Sequence, residues 1–262
     1  MFFRSLKPGL VSDQQLDLIW LALGSTPMVE FAAHANPGAL VLDLQHGLWE
    51  RGTLESAIGA VGARMPVIAR CADNSQVAIA QALDAGAASV LVPLIENATD
   101  ARRAVSAGRY PPVGVRSAGG VRPLLAGLDA MLAADREVAI GLMIETVGGV
   151  ENVEAIAAVP GVDYLFIGTG DLCLSRGTSD SEVIGRDCER VLRAARASGL
   201  PCGIFTGDVC AARQSLESGY RMVVCANDID LVKHGFLTAR EEVRRSCRKV
   251  VSHVGQNTVR KQ

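Results

Sequence analysis

Charged side chains follow four short apolar runs of the chain, at positions where they could share one site. Asp43, with His46 three residues later, ends one run, Arg70 ends the next, Glu145 ends a third, and Asp171 comes shortly after a fourth. Two carboxylates that lie close together repel each other unless a cation or a shared proton intervenes. Mg²⁺ and Mn²⁺ prefer oxygen ligands, whereas two carboxylates without His or Cys bind zinc poorly. The pattern therefore predicts a magnesium or manganese site at Glu145 and Asp171.

An ion held by two carboxylates keeps coordination positions for a substrate, and a 2-oxo acid can bind through one carboxylate oxygen and its keto oxygen. Arg70 could then stabilise the negative charge that develops as an enolate forms. His46, with Asp43 to orient it, is the predicted proton-transfer group. Other roles stay open, since each of these charges could cap a loop or join a surface ion pair, and Arg70 could pair with Asp43 or Asp84.

A glycine-rich turn, Gly168-Thr169-Gly170, comes directly before Asp171. Because the turn has no bulky side chains, its backbone N–H groups can approach a carboxylate closely. We therefore expect Gly168, Thr169 and Gly170 to bind the substrate.

Short apolar runs alternate along the chain with alanine-rich segments, which indicates strands that alternate with helices. Several of the runs are apolar on consecutive residues, as expected for parallel strands that are covered on both faces. The predicted strands are Leu18–Gly24, Ala39–Asp43, Pro66–Arg70, Ser89–Pro93, Val138–Glu145, Tyr164–Ile167, Pro201–Phe205 and Met222–Cys225. The predicted helices between them include Leu54–Val61, Val77–Ala85, Ala98–Ala107, Val150–Ala158, Cys188–Ser198 and Ala211–Ser218.

Eight such units in one chain of 262 residues predict an α/β fold, a closed TIM (β/α)₈ barrel that forms a single domain over residues 1–262. An open doubly wound sheet is the alternative, but no G-x-G-x-x-G motif follows the first strand. The segment Arg109–Leu128 is predicted to be a long Pro/Gly-rich connection. Residues 229–262 are predicted to form a C-terminal helical segment, with one or two amphipathic helices in Ile229–Val254 that act as the eighth barrel helix or as an oligomer contact.

The composition argues against several classes of function, among them binding to nucleic acid and to membranes. The formal net charge is -2, so the chain lacks the basic field that binds nucleic acid or anionic lipid. Its seven cysteines have no C-x-x-C spacing, which argues against a disulfide framework and a structural zinc site. No apolar stretch approaches the roughly 20 residues that span a bilayer, and the first residues do not resemble a secretion signal. We expect a cytoplasmic, soluble protein that acts on small molecules.

Four stretches of the sequence carry a resemblance to a known family. They are Leu42–Gly47, Leu83–Ala87 with Leu91–Pro93, Arg109–Arg116, and Ile144–Thr146 with Phe166–Leu172. In these stretches the chain resembles the HpcH/HpaI aldolases, a family of metal-dependent class II aldolases that act on pyruvate and related 2-oxo acids. The resemblance extends from Leu23-Gly24 to about Asn227.

The resemblance implies a TIM barrel whose last helix is exchanged between neighbouring subunits, in trimers that pair into hexamers. The site residues that it implies are the metal ligands Glu145 and Asp171, the enolate-stabilising Arg70, and the proton-transfer pair His46 and Asp43. Asp84 is expected to support the site from a neighbouring subunit, and the backbone at residues 168–171 is expected to hold the substrate carboxylate.

Three positions depart from the family pattern. Gln45, which we count with the substrate-binding residues, stands where many members have Glu, so one negative charge is missing beside His46. Met143 stands where many aldolases have Gln, which removes one hydrogen bond to the oxo acid. The turn before Asp171 reads Gly-Thr-Gly instead of Gly-Pro-Ala or Gly-Pro-Asn. These changes leave the metal and enolate chemistry in place and do not identify the acceptor.

Three functional hypotheses follow. The first is reversible aldol cleavage and condensation through the enolate of pyruvate or another 2-oxo acid. The second is a citrate synthase-like condensation of oxaloacetate with acetyl-CoA for siderophore assembly, or another CoA-thioester reaction. It depends on the loop Gly114–Arg122, where Arg116 could bind a polycarboxylate or a CoA phosphate, although the loop could also be a lid or a subunit contact. The third is a non-catalytic barrel that binds a metabolite or serves as a scaffold.

Overall fold

Eight parallel strands form a closed barrel in chain order, in which β1 pairs with both β2 and β8. The computed structural model describes residues 3–12 and 14–258, and the described side chains end at residue 245. The strands are β1 (Leu16–Leu21), β2 (Ala39–Asp43), β3 (Val67–Arg70), β4 (Ser89–Val92), β5 (Ala139–Ile144), β6 (Tyr164–Ile167), β7 (Cys202–Ile204) and β8 (Met222–Asn227). All eight predicted strands are therefore present, with ends that shift by up to three residues, and the predicted TIM barrel is confirmed.

Helices surround the barrel, and one short helix closes its amino-terminal end. They are α1 (Lys7–Val11), α2 (Thr26–His34), α3 (Arg51–Val61), α4 (Gln76–Asp84), α5 (Ala98–Ala107), α6 (Val121–Ala126), α7 (Leu128–Glu137), α8 (Val147–Glu151), α9 (Val153–Ala157), α10 (Thr169–Arg176), α11 (Ser181–Ala197), α12 (Val209–Ser218) and α13 (Asp228–Thr258). Leu6 and Leu10, at α1, pack with the side chains that fill the barrel interior. A second and larger apolar core lies between the strands and the outer helices.

Alternate residues of each strand point into the barrel, as the period of two in a β-strand requires. Val41 of β2, Ile68 of β3, Met143 of β5 and Phe166 of β6 belong to the interior cluster. The position two residues after each of them is occupied by Asp43, Arg70, Glu145 and Gly168, respectively. The charged groups predicted from the sequence therefore continue the inward series and reach the carboxyl-terminal mouth of the barrel.

Two predicted segments differ from the structure. The connection Arg109–Leu128 is not free of secondary structure, because α6 lies within it and α7 begins at its last residue. Gly120 and Gly127 flank α6 with positive φ angles of 83° and 82°, which separate it from its neighbours. The predicted helix Val150–Ala158 is two short helices, α8 and α9, which meet at Asn152.

The C-terminal segment is one long helix, α13, and the interpretation of it as the eighth barrel helix is wrong. Every described side chain from Lys233 to Arg245 is exposed, so this part of α13 does not pack against the barrel of its own chain. Phe236 and Val243 are 74% and 64% exposed. The alternative, that this helix contacts or is exchanged with another copy, stays a prediction, and the side chains of Cys247, Arg248, Lys249, Val250 and Val251 lie outside the described residues, as do residues 259–262.

Candidate active site

The strand ends enclose a cavity of about 310 Å³ at the carboxyl-terminal mouth of the barrel, where barrel enzymes have their active sites. Most of the predicted site residues line this cavity, namely Asp43, His46, Arg70, Glu145, Gly168, Thr169, Gly170 and Asp171. The lining also includes residues that the sequence did not indicate: Trp20, Phe205, Asn227, Asp228, Ile229 and Asp230. The volume suits a small substrate.

Asp43 and Arg70 form a buried ion pair at the ends of β2 and β3. The strand register places their Cα atoms side by side. Arg70 donates from Nε to Asp43 Oδ1 over 2.8 Å and from Nη2 to Asp43 Oδ2, so the pair is bidentate. Trp20 donates its indole N–H to Asp43 Oδ2 over 3.2 Å, and its ring lies 5.0 Å from the Arg70 guanidinium. One of the two ion-pair roles left open for Arg70, the pair with Asp43, is the one that forms.

Burial alone would raise the pKa of Asp43, but the hydrogen bonds and positive charge of Arg70 outweigh it and hold that pKa below its ordinary value. The backbone N–H groups of Gln45 and His46 also donate to Asp43 Oδ1, over 3.0 and 3.2 Å. Asp43 therefore stays ionised and fixes the backbone of the loop that carries His46. The His46 side chain is exposed and lines the cavity.

Gln45 does not line the cavity, although the adjacent His46 does. Its side-chain Oε1 atom is buried without a hydrogen-bond partner among the described residues. The structure therefore does not bring Gln45 to the substrate cavity of this chain.

Glu145 is almost fully buried, at 1% exposure, and among the described residues only one of its carboxylate oxygens has a hydrogen-bond partner. Leu94 donates its backbone N–H to Oε1 over 2.8 Å, from a left-handed backbone conformation with φ of 54°. Oε2 is buried and has no hydrogen-bond partner among the described residues. Burial raises the pKa of Glu145 to about 7, and the neighbouring Asp171 contributes in the same direction while the Leu94 N–H opposes it.

The surroundings of Glu145 fit a divalent cation. Asp171 lies in the first turn of α10, close enough for its charge to raise the pKa of Glu145. Gly168 leaves the space next to the Oε2 atom open, because a Cβ atom at this position would collide with that oxygen. No group of three or more His, Cys, Asp or Glu side chains that could hold a metal occurs in the described part of the chain. Two carboxylates would therefore share the ion with water and substrate oxygens, as Mg²⁺ and Mn²⁺ commonly allow.

Asp84 and Arg116 lie together outside the lining of the cavity. Arg116 donates from Nη2 to Asp84 Oδ1 over 2.9 Å, and its guanidinium lies 4.6 Å from the ring of Tyr110. Arg116 is only 3% exposed. The structure therefore does not bring Arg116 to the substrate cavity of its own chain, because the side chain is buried outside the lining and beside Asp84.

Asp228 is a buried carboxylate that the sequence did not indicate. Oδ1 accepts from the backbone N–H of Ala22 over 2.9 Å, and Oδ2 accepts from that of Leu23 over 2.9 Å. The side chain thus fixes the end of β1 to the start of α13 and satisfies its own charge with backbone donors. Its place directly after β8 is the only sequence signal that could have indicated it.

Known proteins share the sequence pattern and the fold of this chain. The profile described as HpcH/HpaI aldolase/citrate lyase matches residues 17–235. The chain belongs to this family. Hydroxypyruvate/pyruvate aldolase of Paraburkholderia phytofirmans is 34% identical over 257 residues, which cover 93% of this chain and 98% of the relative. A crystal structure of an HpcH/HpaI aldolase/citrate lyase family protein from Burkholderia cenocepacia has a TM-score of 0.85 at 35% identity and covers 91% of this chain and 98% of that one.

The protein is an aldolase or lyase, and the hypothesis of a non-catalytic barrel is set aside. HpcH/HpaI aldolases generally depend on a divalent metal. A structure described as a citrate synthase superposes with a TM-score of 0.83 at 24% identity, with 93% of this chain and 99% of that one covered. At this identity the likeness concerns the fold alone. No helix in the described part of the chain is long and apolar enough to cross a membrane.

Proposed function

We propose that the protein catalyses reversible aldol cleavage and condensation through the enolate of pyruvate or a related 2-oxo acid, with Mg²⁺ or Mn²⁺ held by Glu145 and Asp171. The observation that carries the proposal is the Oε2 atom of Glu145, which has no hydrogen-bond partner among the described residues and is buried beside a second carboxylate in a cavity that also contains Arg70. When bound, a divalent cation supplies positive charge that lowers the energy of the enolate.

In the condensation direction, C3 of the 2-oxo acid loses a proton and forms a bond to the carbonyl carbon of an aldehyde. The aldehyde oxygen gains a proton, so the product is a 4-hydroxy-2-oxo acid, and cleavage reverses these steps. Each step needs a proton carrier near the reacting carbons and a positive group near the developing negative charge.

Arg70 is suited to the developing charge. Two of the five N–H donors of an arginine are used by Asp43 here, which leaves three for substrate oxygens. The ion pair with Asp43 and the ring of Trp20 hold the guanidinium in one orientation at the cavity. A donor that is fixed before the reaction stabilises charge without the cost of reorganisation.

His46 is the proposed proton carrier, since its side chain lines the cavity and its backbone is fixed by Asp43. The backbone of Gly168, Thr169 and Gly170 is proposed to hold the substrate carboxylate. This segment forms the start of α10, where N–H groups without an intrahelical partner attract anions.

Asp84 is proposed to act on the site of a neighbouring copy, in a trimer or hexamer with α13 exchanged between subunits. The exposed apolar side chains of α13 support an assembly of this kind. In this arrangement Arg116 orients Asp84 and does not bind substrate itself. The condensation of oxaloacetate with acetyl-CoA has less support, because Arg116, on which it depended, does not line the cavity of its own chain.

The experiment that tests the proposed function is deuterium exchange at the pyruvate methyl group, followed by proton NMR in D₂O. We expect exchange that depends on added Mg²⁺ or Mn²⁺ and that is lost in Glu145→Gln and Asp171→Asn, while Glu151→Gln, an exposed matched control, behaves as wild type. Circular dichroism checks that the variants are folded. Exchange that persists without metal, or in Glu145→Gln, would contradict the proposal.

A parallel assay separates the two chemistries, because it compares cleavage of a 4-hydroxy-2-oxo acid with release of free CoA from oxaloacetate and acetyl-CoA. The proposal predicts cleavage of the 4-hydroxy-2-oxo acid and no release of free CoA. Thiol release without aldol cleavage would replace the proposal with the thioester reaction.

A further inference from the structure

The cavity has two unlike halves. One half, at β5 and β6, contains Glu145, Asp171 and the turn that begins at Gly168. The other half is built by β1, β7 and the junction of β8 with α13, which are neighbours in the closed barrel. Under the proposed function the first half binds the 2-oxo acid, so the second half faces the aldehyde acceptor.

The acceptor half has an apolar wall. The rings of Trp20 and Phe205 meet edge to face with centroids 5.3 Å apart. Ile229, in the first turn of α13, is half exposed on the same side of the cavity. Such a wall packs against a short carbon chain and offers a carboxylate or phosphate group no replacement for its water shell.

The described part of the chain places no unpaired guanidinium or ammonium group in the acceptor half. Among the described residues that line the cavity, Arg70 is the one guanidinium or ammonium group, and Asp43 neutralises it in the bidentate pair. An anionic acceptor therefore finds no fixed counter-charge in this half. Sites that recognise carboxylates or phosphates usually provide an arginine or a free helix amino terminus.

The amino terminus of α13 also does not attract anions. Asp228 and Asp230 both lie in its first turn, where their negative charges offset the positive potential of the helix dipole. The charge of Asp228 is buried and bound by backbone N–H groups. Asp230 is exposed, and Asn227 holds it in place by donating from Nδ2 to Oδ2 over 2.8 Å and by accepting the Asp230 backbone N–H over 2.8 Å.

We propose that the acceptor of this enzyme is an aldehyde without a negative charge, and that Asp230 is a specificity-determining residue that repels acceptors with a carboxylate or phosphate group. The inference rests on the proposed aldol function. Its physical basis is a fixed negative charge at the acceptor half of a small cavity, where a like charge on the substrate is disfavoured.

The test compares two acceptors that differ in charge and little else, 4-oxobutanoate and its methyl ester, each with pyruvate and metal. We expect kcat/KM to favour the ester by about tenfold in wild type at low salt. Asp230→Asn, which keeps an acceptor for the Asn227 amide, should reduce this preference severalfold, and Asp230→Lys should remove or reverse it. Glu217→Lys, the same charge change at an exposed position of α12, should leave the ratio unchanged.

Two results would overturn the inference. One is a wild-type enzyme that uses 4-oxobutanoate as well as the ester or better, and the other is an unchanged ratio in both Asp230 variants. Failure of the proposed function would give a different result, namely no metal-dependent exchange at the pyruvate methyl group in the wild-type enzyme.

Discussion

Asp43 and Glu145 are both buried carboxylates that face the same cavity, but their surroundings shift their pKa values in opposite directions. Asp43 accepts hydrogen bonds from Arg70, Trp20 and two backbone N–H groups, and its pKa lies below the ordinary value. Glu145 accepts one backbone N–H, and one of its oxygens has no partner among the described residues. Burial raises its pKa to about 7.

The comparison separates two kinds of buried carboxylate. Asp43 has hydrogen-bond and ion-pair partners for its negative charge within the chain, and we call it the completed charge. Glu145 lacks such partners for one of its oxygens among the described residues, and we call it the incomplete charge. A buried carboxylate is stable only when donors or a cation replace its water shell. Asp43 has that replacement within the chain and so serves to position its neighbours. Glu145 lacks it, and the missing partner is the divalent cation that we propose for this site.

The largest effect is expected when the completed charge loses its partner. Arg70→Met leaves Asp43 buried without its cation, which should lower the free energy of unfolding by about 3–5 kcal/mol. Urea denaturation of the metal-free protein measures this change. The control is Arg190→Met, which breaks an exposed pair with Glu154 and should have little effect. Equal stability of the two variants would show that the Asp43–Arg70 pair does not carry the stability that we assign to it.

A somewhat smaller effect is expected from pH at the incomplete charge. The pKa of Glu145 is raised from 4.5 to about 7 in the metal-free folded protein. Between these two pH values the folded protein keeps a proton on Glu145 that the unfolded chain has released. The resulting stability is complete below pH 4.5 and is lost as the pH rises through about 7, with a total of roughly 3 kcal/mol.

Glu145→Gln cannot release this proton. The difference in unfolding free energy between wild type and Glu145→Gln should therefore grow from pH 5 to pH 8 in favour of the variant, as measured in urea with a chelator present. A difference that is the same at both pH values would mean that the carboxylate is not destabilised by its burial.

The smallest effect concerns one donor to the completed charge. Trp20→Phe keeps an aromatic ring over Arg70 and removes the indole N–H that binds Asp43. We expect a loss of about 1 kcal/mol in unfolding free energy, because four other N–H donors to Asp43 remain, two from Arg70 and two from the backbone. Thermal unfolding of the two proteins at the same pH measures it. A loss comparable to that of Arg70→Met would mean that Trp20, and not Arg70, is the main partner of Asp43.

The sequence predicted the barrel and most of its mouth because both depend on local patterns. Apolar runs contain the strands, which are three to six residues long, and the inward alternation continues from Met143 to Glu145 and from Ile68 to Arg70. Such patterns are visible in the chain without knowledge of distant contacts.

The partners of the charged groups were harder to predict, since they depend on register and loop placement. The sequence left Arg70 free to pair with Asp43 or Asp84, and the alignment of β2 with β3 selects Asp43. Asp84 pairs with Arg116 instead, in a loop whose path has no local signature. In the sequence, Trp20 is only one residue of the predicted strand Leu18–Gly24, because its indole N–H becomes relevant only when Asp43 lies beside it.

The most direct test of the central claim is Mn²⁺ binding to wild type, Glu145→Gln and Asp43→Asn, measured by isothermal titration calorimetry at pH 8 with circular dichroism as a check of folding. We predict one ion per chain for wild type, a loss of affinity of about 100-fold or more in Glu145→Gln, and a change of only a few-fold in Asp43→Asn. Equal affinity of wild type and Glu145→Gln would contradict the assignment of the incomplete charge to a metal.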